Sequence, residues 1–431
     1  MPQQDGTHTF ALNAIGLARL FIDDKLVIDH WNESETGQQK TVELELTANQ
    51  GYPIRLEYSW KGNKRWRSVS LGHLPPHVPD LIAEAEELAK RSDVVVLIAG
   101  LNNEWESEGF DRVDMKLPGA QNELIERVAA ANPNTVVVLN VGSAVEMPWI
   151  DKVPAVIQLW YNSQEQGNAL SDVLFGDVNP SGKLPTTIPV RLQDNPAYIN
   201  YPGENGKVRY GEGLFVGYRY YDKKELAPQF PFGHGLSYTT FEYDNLHLST
   251  DQTTPEKGLD VSFDVTNTGK RAGKEVAQLY IRDIKCSLAR PDKELKAFAK
   301  IELAPGEIKT VTLHLNQEAF WFFDTVKNAW ITEPGEMEIL IGSSSRDIRL
   351  RGKFTLTSGS GSRLHVGLPL KALLDDEAGH GVLAQHFGGM LDTPMIQMGR
   401  EMSLEQISEM APEMLTPGLL KAINDDLVKA S

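Results

Sequence analysis

The 431-residue sequence predicts a multidomain chain, with all-β segments on either side of a central α/β segment and a helical tail at the end. Three observations predict it. Alternating apolar runs fill the chain up to about Pro76, helix and buried-strand patterns alternate from Pro79 to about Pro189, and short strands with Gly/Pro turns return between Phe241 and about Leu356. A chain of this length exceeds one ordinary core.

In the first segment, Gly16 to Ile22 reads as a strand running to a hairpin at Asp23-Asp24, which Leu26 to Asp29 continues. Thr41 to Leu46 alternates strictly, and Ile54 to Tyr58 follows Pro53, which sits at a strand start where no amide is needed. The chain begins abruptly, so a free sheet edge at residue 10 is expected, with the remaining strands of that domain missing.

The central segment opens with an amphipathic helix (Leu81, Ala85, Leu88, Ala89) and a buried strand, Val94-Val95-Val96-Leu97-Ile98. A helix on Leu124, Ile125 and Val128, a strand over Thr135 to Asn140 and another over Ala155 to Trp160 follow, and the alternation argues a mostly parallel sheet. From Glu165 a further helix runs until Gly176 stops it. Asn179 to Tyr238 has no sustained period and is rich in Gly, Pro and Tyr; seven tyrosines between Tyr198 and Tyr238 argue an ordered functional loop rather than disorder.

Strands over Leu259 to Val265, Glu275 to Ile281, Thr310 to Leu315 and Met337 to Ile341, with turns at Asn267-Thr268-Gly269, Pro305-Gly306 and Pro334-Gly335, indicate a β-sandwich of about a hundred residues. Ser358-Gly359-Ser360-Gly361-Ser362 reads as a flexible linker. Helical pieces on Leu404, Ile407 and Met410 and on Leu419 to Leu427 form the tail, with Pro417 in a first helical turn. The resulting domains are 1–78, 79–241, 242–358 and 359–431.

The densest chemistry lies just after the first central strand, in Glu104-Trp105-Glu106-Ser107-Glu108-Gly109-Phe110-Asp111-Arg112. Loops leaving the strand ends of an α/β sheet carry function, and Trp105 and Phe110 among the charges suit stacking on a sugar better than a solvated loop. The loops after the next strands, at Asn140 to Ser143 and Trp160 to Glu165, are expected at the same sheet edge. Crowded carboxylates raise one another's pKa toward the range of a general acid, and Asp111 and Arg112 are expected to hold the loop as an ion pair.

Forty-two basic and 59 acidic side chains give a formal charge of −17, a field unfavourable to nucleic acid and anionic membrane. Cys286 is alone, so no intrachain disulfide framework is expected. No eighteen-residue apolar run suggests a membrane span. The first residues lack a basic and apolar signal pattern, so the chain as written reads as cytoplasmic, and as secreted if a preceding part carries a signal. No cofactor and no metal are implied.

Gly100 to Arg112, Gly176-Asp177-Val178-Asn179-Pro180-Ser181-Gly182-Lys183-Leu184-Pro185 and Phe230-Pro231-Phe232-Gly233-His234-Gly235-Leu236-Ser237-Tyr238 resemble the C-terminal α/β sandwich of family 3 glycoside hydrolases, in the subgroup with an inserted PA14 domain. Residues 11 to 76 resemble the second half of PA14, and 257 to 345 resemble the fibronectin-III-like domain that closes such enzymes. The resemblance implies a β-glucosidase hydrolysing terminal non-reducing β-D-glucosyl residues with retention, through an Asp nucleophile and a Glu acid/base. Its Ser-Glu-Gly stretch puts the acid/base on Glu108, with Glu106 and Glu104 as runners-up, and Trp105, Phe110, Asp111, Arg112 and Tyr161 as substrate contacts. The family's nucleophile sits in an N-terminal (β/α)8 barrel that this chain does not contain. The barrel is then a partner polypeptide or a missing part of the gene product; the alternative is a non-catalytic carbohydrate-binding or interaction fragment of the same ancestry. Exposed apolar surface and marginal solubility are expected of a chain so divided.

Overall fold

A computed structural model describes residues 1–32, 37–60, 67–77, 80–325, 328–357, 364–392, 399–413 and 415–430. The expected domain boundary at 78/79 and the Ser/Gly linker lie outside these described residues. The chain divides into two compact units, the first comprising Met1–Val95, Glu123–Thr135 and Lys152–Pro154, the second the remainder. Among the described residues no helix is long and apolar enough to cross a membrane.

The first unit is built on β1 (Gly6–Ile15), β2 (Leu17–Ile22), β3 (Lys25–His30), β4 (Gln39–Leu46), β5 (Ile54–Ser59) and β6 (Ser68–Leu74). They form two antiparallel three-stranded sheets, ordered β4-β1-β6 and β3-β2-β5. Every second residue of β1 points inward, and Phe10, Leu12 and Ala14 join Ala18, Leu20, Ile22, Ile28 and Leu46 in one core. Asp23 and Asp24, at φ 53° and 58°, make the two-residue turn between β2 and β3. The expected free edge at residue 10 is corrected: Phe10 pairs with Val42 on one side and His73 on the other, so β1 is the central strand. Chain order suggests an edge, whereas β4 and β6 reach β1 from later in the sequence. In the same unit, α1 (Leu81–Lys90) starts on Asp80, whose carboxylate accepts from the Ala83 amide at 3.0 Å. Asn132 donates to the Ala89 and Ser92 carbonyls at 3.0 and 2.7 Å.

In the α/β segment, β7 (Val95–Gly100), α2 (Gln121–Ala131), β8 (Thr135–Asn140) and β9 (Ala155–Gln158) alternate, and the sheet order is β7-β8-β9 with β8 and β9 parallel. Val137, Val138 and Leu139 are fully buried, which is why β8 reads as a continuous β-branched run. Then α3 (Gln166–Phe175) ends on Gly176, whose φ of 81° is a left-handed C-cap.

The long aperiodic loop is ordered. Ile188 and Phe230 exchange backbone hydrogen bonds at 2.9 and 3.2 Å, and the Leu184 amide reaches the His234 carbonyl at 2.8 Å. A short helix, α4 (Tyr218–Lys223), carries Asp222, which bonds the buried Lys293 at 2.6 Å and Arg346 at 2.8 Å.

Ten strands follow: β10 (Phe241–Leu248), β11 (Gln252–Thr253), β12 (Leu259–Asn267), β13 (Gly273–Asp283), β14 (Glu294–Leu303), β15 (Ile308–Leu315), β16 (Phe322–Asp324), β17 (Ala329–Ile331), β18 (Gly335–Gly342) and β19 (Ile348–Leu356). Sheets β10-β12-β15 and β11-β19-β18-β13-β14 enclose a core of Phe263, Leu279, Ile339 and their neighbours, with β16 and β17 as a separate hairpin. The tail has α5 (Leu370–Asp375), α6 (Glu377–Phe387), α7 (Leu404–Met410) and α8 (Pro417–Ala430) around Leu370, Leu373, Leu383, Leu404, Ile423 and Leu427. Ser403 and Gln406 form a capping box at the start of α7.

One contact in the first unit has a pH consequence. His8 Nε2 meets the Gln4 carbonyl at 2.9 Å, which can only accept, so the neutral ring uses Nδ1 to accept from His73 Nε2, 2.8 Å away. The His73 ring is stacked on both Phe10 and His8, and this desolvation, with repulsion from His8, lowers its pKa. The unfolded chain then takes up its proton at about pH 6.5, before the folded chain does. Stability from this group is therefore complete above that pH and falls as pH drops toward the depressed folded value. The urea midpoint of the first unit should fall between pH 7 and 5, and the fall should be much smaller in His73→Gln; equal falls would show that the pair does not govern it.

Candidate active site

Three loops leave adjoining strand ends of the β7-β8-β9 sheet. The Leu101 amide takes the Asn140 carbonyl at 3.1 Å and the Leu159 amide takes that of Leu139 at 2.9 Å, so the loops begin side by side. The first, from Leu101, turns tightly: Asn102 accepts at its carbonyl from the amides of Trp105 and Glu106, each at 2.9 Å, and at its side chain from the Glu104 amide at 2.9 Å.

Glu106 is where the three loops converge. Its carboxylate accepts from the Gly142 amide at 2.9 Å, from the Tyr161 hydroxyl at 2.5 Å and from the Ser143 hydroxyl, while Arg112 Nη1 stands 3.9 Å away. Burial works against the charged form, yet the hydrogen bonds from Ser143, Tyr161 and Gly142 and the Arg112 charge outweigh it, holding this carboxyl below the ordinary range. Carboxylate crowding predicts the opposite shift; donors rather than like charges face Glu106.

Tyr161 is aimed by its backbone. Trp160 and Ser163, on either side, both sit at φ 59°, a left-handed conformation that costs a non-glycine residue about 1–2 kcal/mol. Burial and the bond to Glu106 push the Tyr161 phenol up to about 12. Gly142 permits the close approach, since a Cβ there would fall 2.7 Å from the Tyr161 ring and 3.1 Å from the Glu106 carboxylate.

Arg112 donates from Nη1 to Ser143 Oγ at 2.9 Å and to the Ala144 carbonyl at 3.1 Å, and its Nη2 is buried with no hydrogen-bond partner among the described residues. The expected Asp111–Arg112 ion pair is therefore corrected: Arg112 turns back to Glu106, and Asp111 instead accepts from the Tyr201 hydroxyl. The two side chains are drawn to different loops, Arg112 to Ser143 and Ala144 and Asp111 to Tyr201, which separates the two charges. Between these anchors the chain makes a small turn, with a bridge between Ser107 and Phe110 and the Gly109 amide on Ser107 Oγ at 3.3 Å. Glu108 stands exposed on that turn. Trp105 and Phe110 keep 45% and 49% of their surface in solvent. Glu104, also exposed, lines an open cavity of about 390 Å³ with Leu101, Asn102, Asn103 and Tyr161. Among the described residues no group of three His, Cys, Asp or Glu side chains could hold a metal ion.

Sequence reasoning places the three loops together but misses the parts played by Gly142, Ser143 and Tyr201. Tyr201 lies 90 positions from Asp111, and the one available signal was the tyrosine enrichment of its loop.

Comparison with known proteins gives two domain matches, a glycosyl hydrolase family 3 C-terminal domain over residues 25–238 and a fibronectin type III-like domain over 275–345. The chain is 50% identical over 321 residues to a thermostable beta-glucosidase B of Acetivibrio thermocellus, covering 74% of this chain and 42% of that protein. It is 44% identical to a beta-glucosidase of Rhizobium radiobacter, covering 81% and 44%. The crystal structure of a beta-glucosidase from Kluyveromyces marxianus in complex with glucose superposes with a TM-score of 0.74 at 42% identity, covering 83% of this chain and 44% of that one. The chain thus spans less than half the length of these relatives.

Gly142→Ala tests the convergence on Glu106. The added methyl should force the Tyr161 ring away, cost about 1–3 kcal/mol in thermal or urea unfolding, and bring the Tyr161 phenol back from about 12 toward the ordinary value of about 10 in a tyrosinate absorbance titration referenced to Tyr161→Phe. An unchanged titration would show that Tyr161 is not held this way.

Proposed function

The chain carries the C-terminal domain of glycosyl hydrolase family 3 followed by a fibronectin type III-like domain, and on that premise we propose that it supplies Glu108 as the acid/base of a retaining β-glucosidase. The nucleophile is assigned to a (β/α)8 barrel outside residues 1–431, either joined to this chain or a separate polypeptide. One observation carries the choice of Glu108 over Glu106. Glu106 accepts hydrogen bonds at both carboxylate oxygens and is held ionised, whereas Glu108 occupies an exposed turn between two anchored positions, free to meet a substrate presented from outside.

In the proposed reaction Glu108, protonated, gives its proton to the glycosidic oxygen as the barrel carboxylate attacks the anomeric carbon, releasing the aglycone and leaving a glucosyl ester. Glu108, now a carboxylate, then takes a proton from water as that water displaces the ester, which regenerates both carboxyl groups with net retention. Trp105 and Phe110 offer exposed rings for a sugar face. Asp111 and Tyr161 spend their polar groups on the loop, while the unpaired Nη2 of Arg112 remains a donor for an incoming acceptor. The aromatic loop supports a barrel as partner: Ile199 and Tyr210 are 88% and 83% exposed, with Tyr201 and Leu214 also in solvent, side chains suited to an interaction surface. The two antiparallel three-stranded sheets of residues 6–74 support the reading of that segment as part of a PA14-like domain.

The test is hydrolysis of an unactivated alkyl β-glucoside by the purified chain, alone and mixed with the family barrel, for the wild type, Glu108→Gln and Glu104→Gln. Turnover is expected only with the barrel, reduced in Glu108→Gln by about 10²-fold or more and largely kept in Glu104→Gln. Sugar binding without turnover in any mixture would favour a binding fragment, and full activity in Glu108→Gln would refute the acid/base assignment.

A further inference from the structure

We propose that Glu106 is a positioning residue: it fixes one end of the loop that presents Glu108, Asp111 fixes the other, and the two together set where the Glu108 carboxyl stands. The inference rests on the assignment of Glu108 as acid/base. Its ground is geometric. Glu106 lies two residues before Glu108 and gathers groups from both neighbouring loops, the Gly142 amide and Ser143 hydroxyl from the one after β8 and the Tyr161 hydroxyl from the one after β9. Asp111 lies three residues after Glu108 and accepts from Tyr201 of the aromatic loop. The turn between them is only four residues, closed by the Ser107–Phe110 bridge. A segment this short, pinned at both ends, has little freedom, and a misplacement of about 1 Å is enough to cost a catalytic group much of its effect.

Glu106 acts here as an anion. Arg112 is the one charged group and Tyr161 the one titratable group facing its carboxylate among the described residues. Both favour ionisation, Arg112 by its charge and Tyr161 as a phenol kept protonated in its bond to Glu106. A carboxyl held below the ordinary range keeps its acceptors through neutral and mildly acidic pH and loses them only as pH falls through its folded value. The anchor therefore persists at neutral and mildly acidic pH. A neutral glutamine keeps the shape but offers one acceptor oxygen, so the Gly142, Ser143 and Tyr161 donors cannot all be served.

Amide hydrogen exchange in the full chain, followed at Gly142 and at residues 107–110, measures anchoring without any need for turnover. In the wild type Gly142 should be protected at neutral pH and lose protection below the ordinary carboxylate range. In Glu106→Gln protection should fall about tenfold or more, with the acid transition gone. Tyr161→Phe, which removes one donor and no charge, should give a smaller loss and retain the transition. Asp111→Asn with Tyr201→Phe should loosen 107–110 and leave Gly142 protected. In the barrel-assembled enzyme Glu106→Gln should lower kcat with KM little changed. Unaltered exchange at Gly142 in folded Glu106→Gln, or a normal kcat, overturns the positioning role and leaves the Glu108 assignment standing. Full activity in Glu108→Gln overturns that assignment instead, while the exchange results at Gly142 stay as they were.

Discussion

A single ionised carboxylate organises the working edge of this protein. Glu106 is partly withdrawn from water and compensated by an amide, two hydroxyls and, at longer range, a guanidinium, which the three loops deliver between them. Partial burial makes such an anion expensive unless its acceptors are filled, so the loops after β7, β8 and β9 are held to one arrangement. The placement proposed for the Glu108 carboxyl depends on this, because an acid that must both give and take a proton has to stay within reach of one oxygen. The left-handed backbone at Trp160 and Ser163 and the missing side chain at Gly142 are the local concessions that let the hub close.

A second set of constraints ties the aromatic loop to the β-sandwich. Lys183 pairs with the buried Glu275 at 3.1 Å, whose carboxylate also accepts from Tyr243 at 3.0 Å, and Asp222 is held between Lys293 and Arg346. Buried pairs of this kind add little net stability but penalise every arrangement that separates them. The Gly-Lys-Leu-Pro and Phe-Gly-His-Gly-Leu-Ser-Tyr stretches are thus joining elements. Lys183 meets the Gly235 carbonyl at 3.0 Å and Asn179 accepts from Ser237 and the Tyr238 amide. The loop that carries Tyr201 to Asp111 is accordingly anchored on the sandwich at one end and on the site at the other.

Much of the fold could be read from the residue pattern, because burial imposes a period. The run Thr135 to Asn140, the alternation of Leu259 to Val265 and the Gly176 stop all fall where elements begin or end. What escaped is what periodicity does not encode. The central place of β1 depends on strands contributed later in the chain, and the direction in which Arg112 turns depends on Ser143 and Glu106 rather than on its neighbour Asp111. Glu106 and Glu108 carry the same side chain two positions apart, and only the surrounding donors separate an anchored carboxyl group from an exposed one. Charge density in the sequence draws attention to this loop but gives the wrong direction for Glu106, since hydrogen-bond donors more than 30 residues away decide it.

The division of labour between this chain and a barrel is open to one direct measurement. The assembled enzyme would be treated with a 2-deoxy-2-fluoro-β-glucoside bearing an activated leaving group, which needs no acid to depart, and the covalent adduct located by peptide mass spectrometry. The account predicts an adduct on a carboxylate outside residues 1–431, formed by the wild type and by Glu108→Gln alike but released by water much more slowly in the variant. An adduct on Glu104, Glu106 or Glu108 would contradict it, because the nucleophile would then lie within this chain.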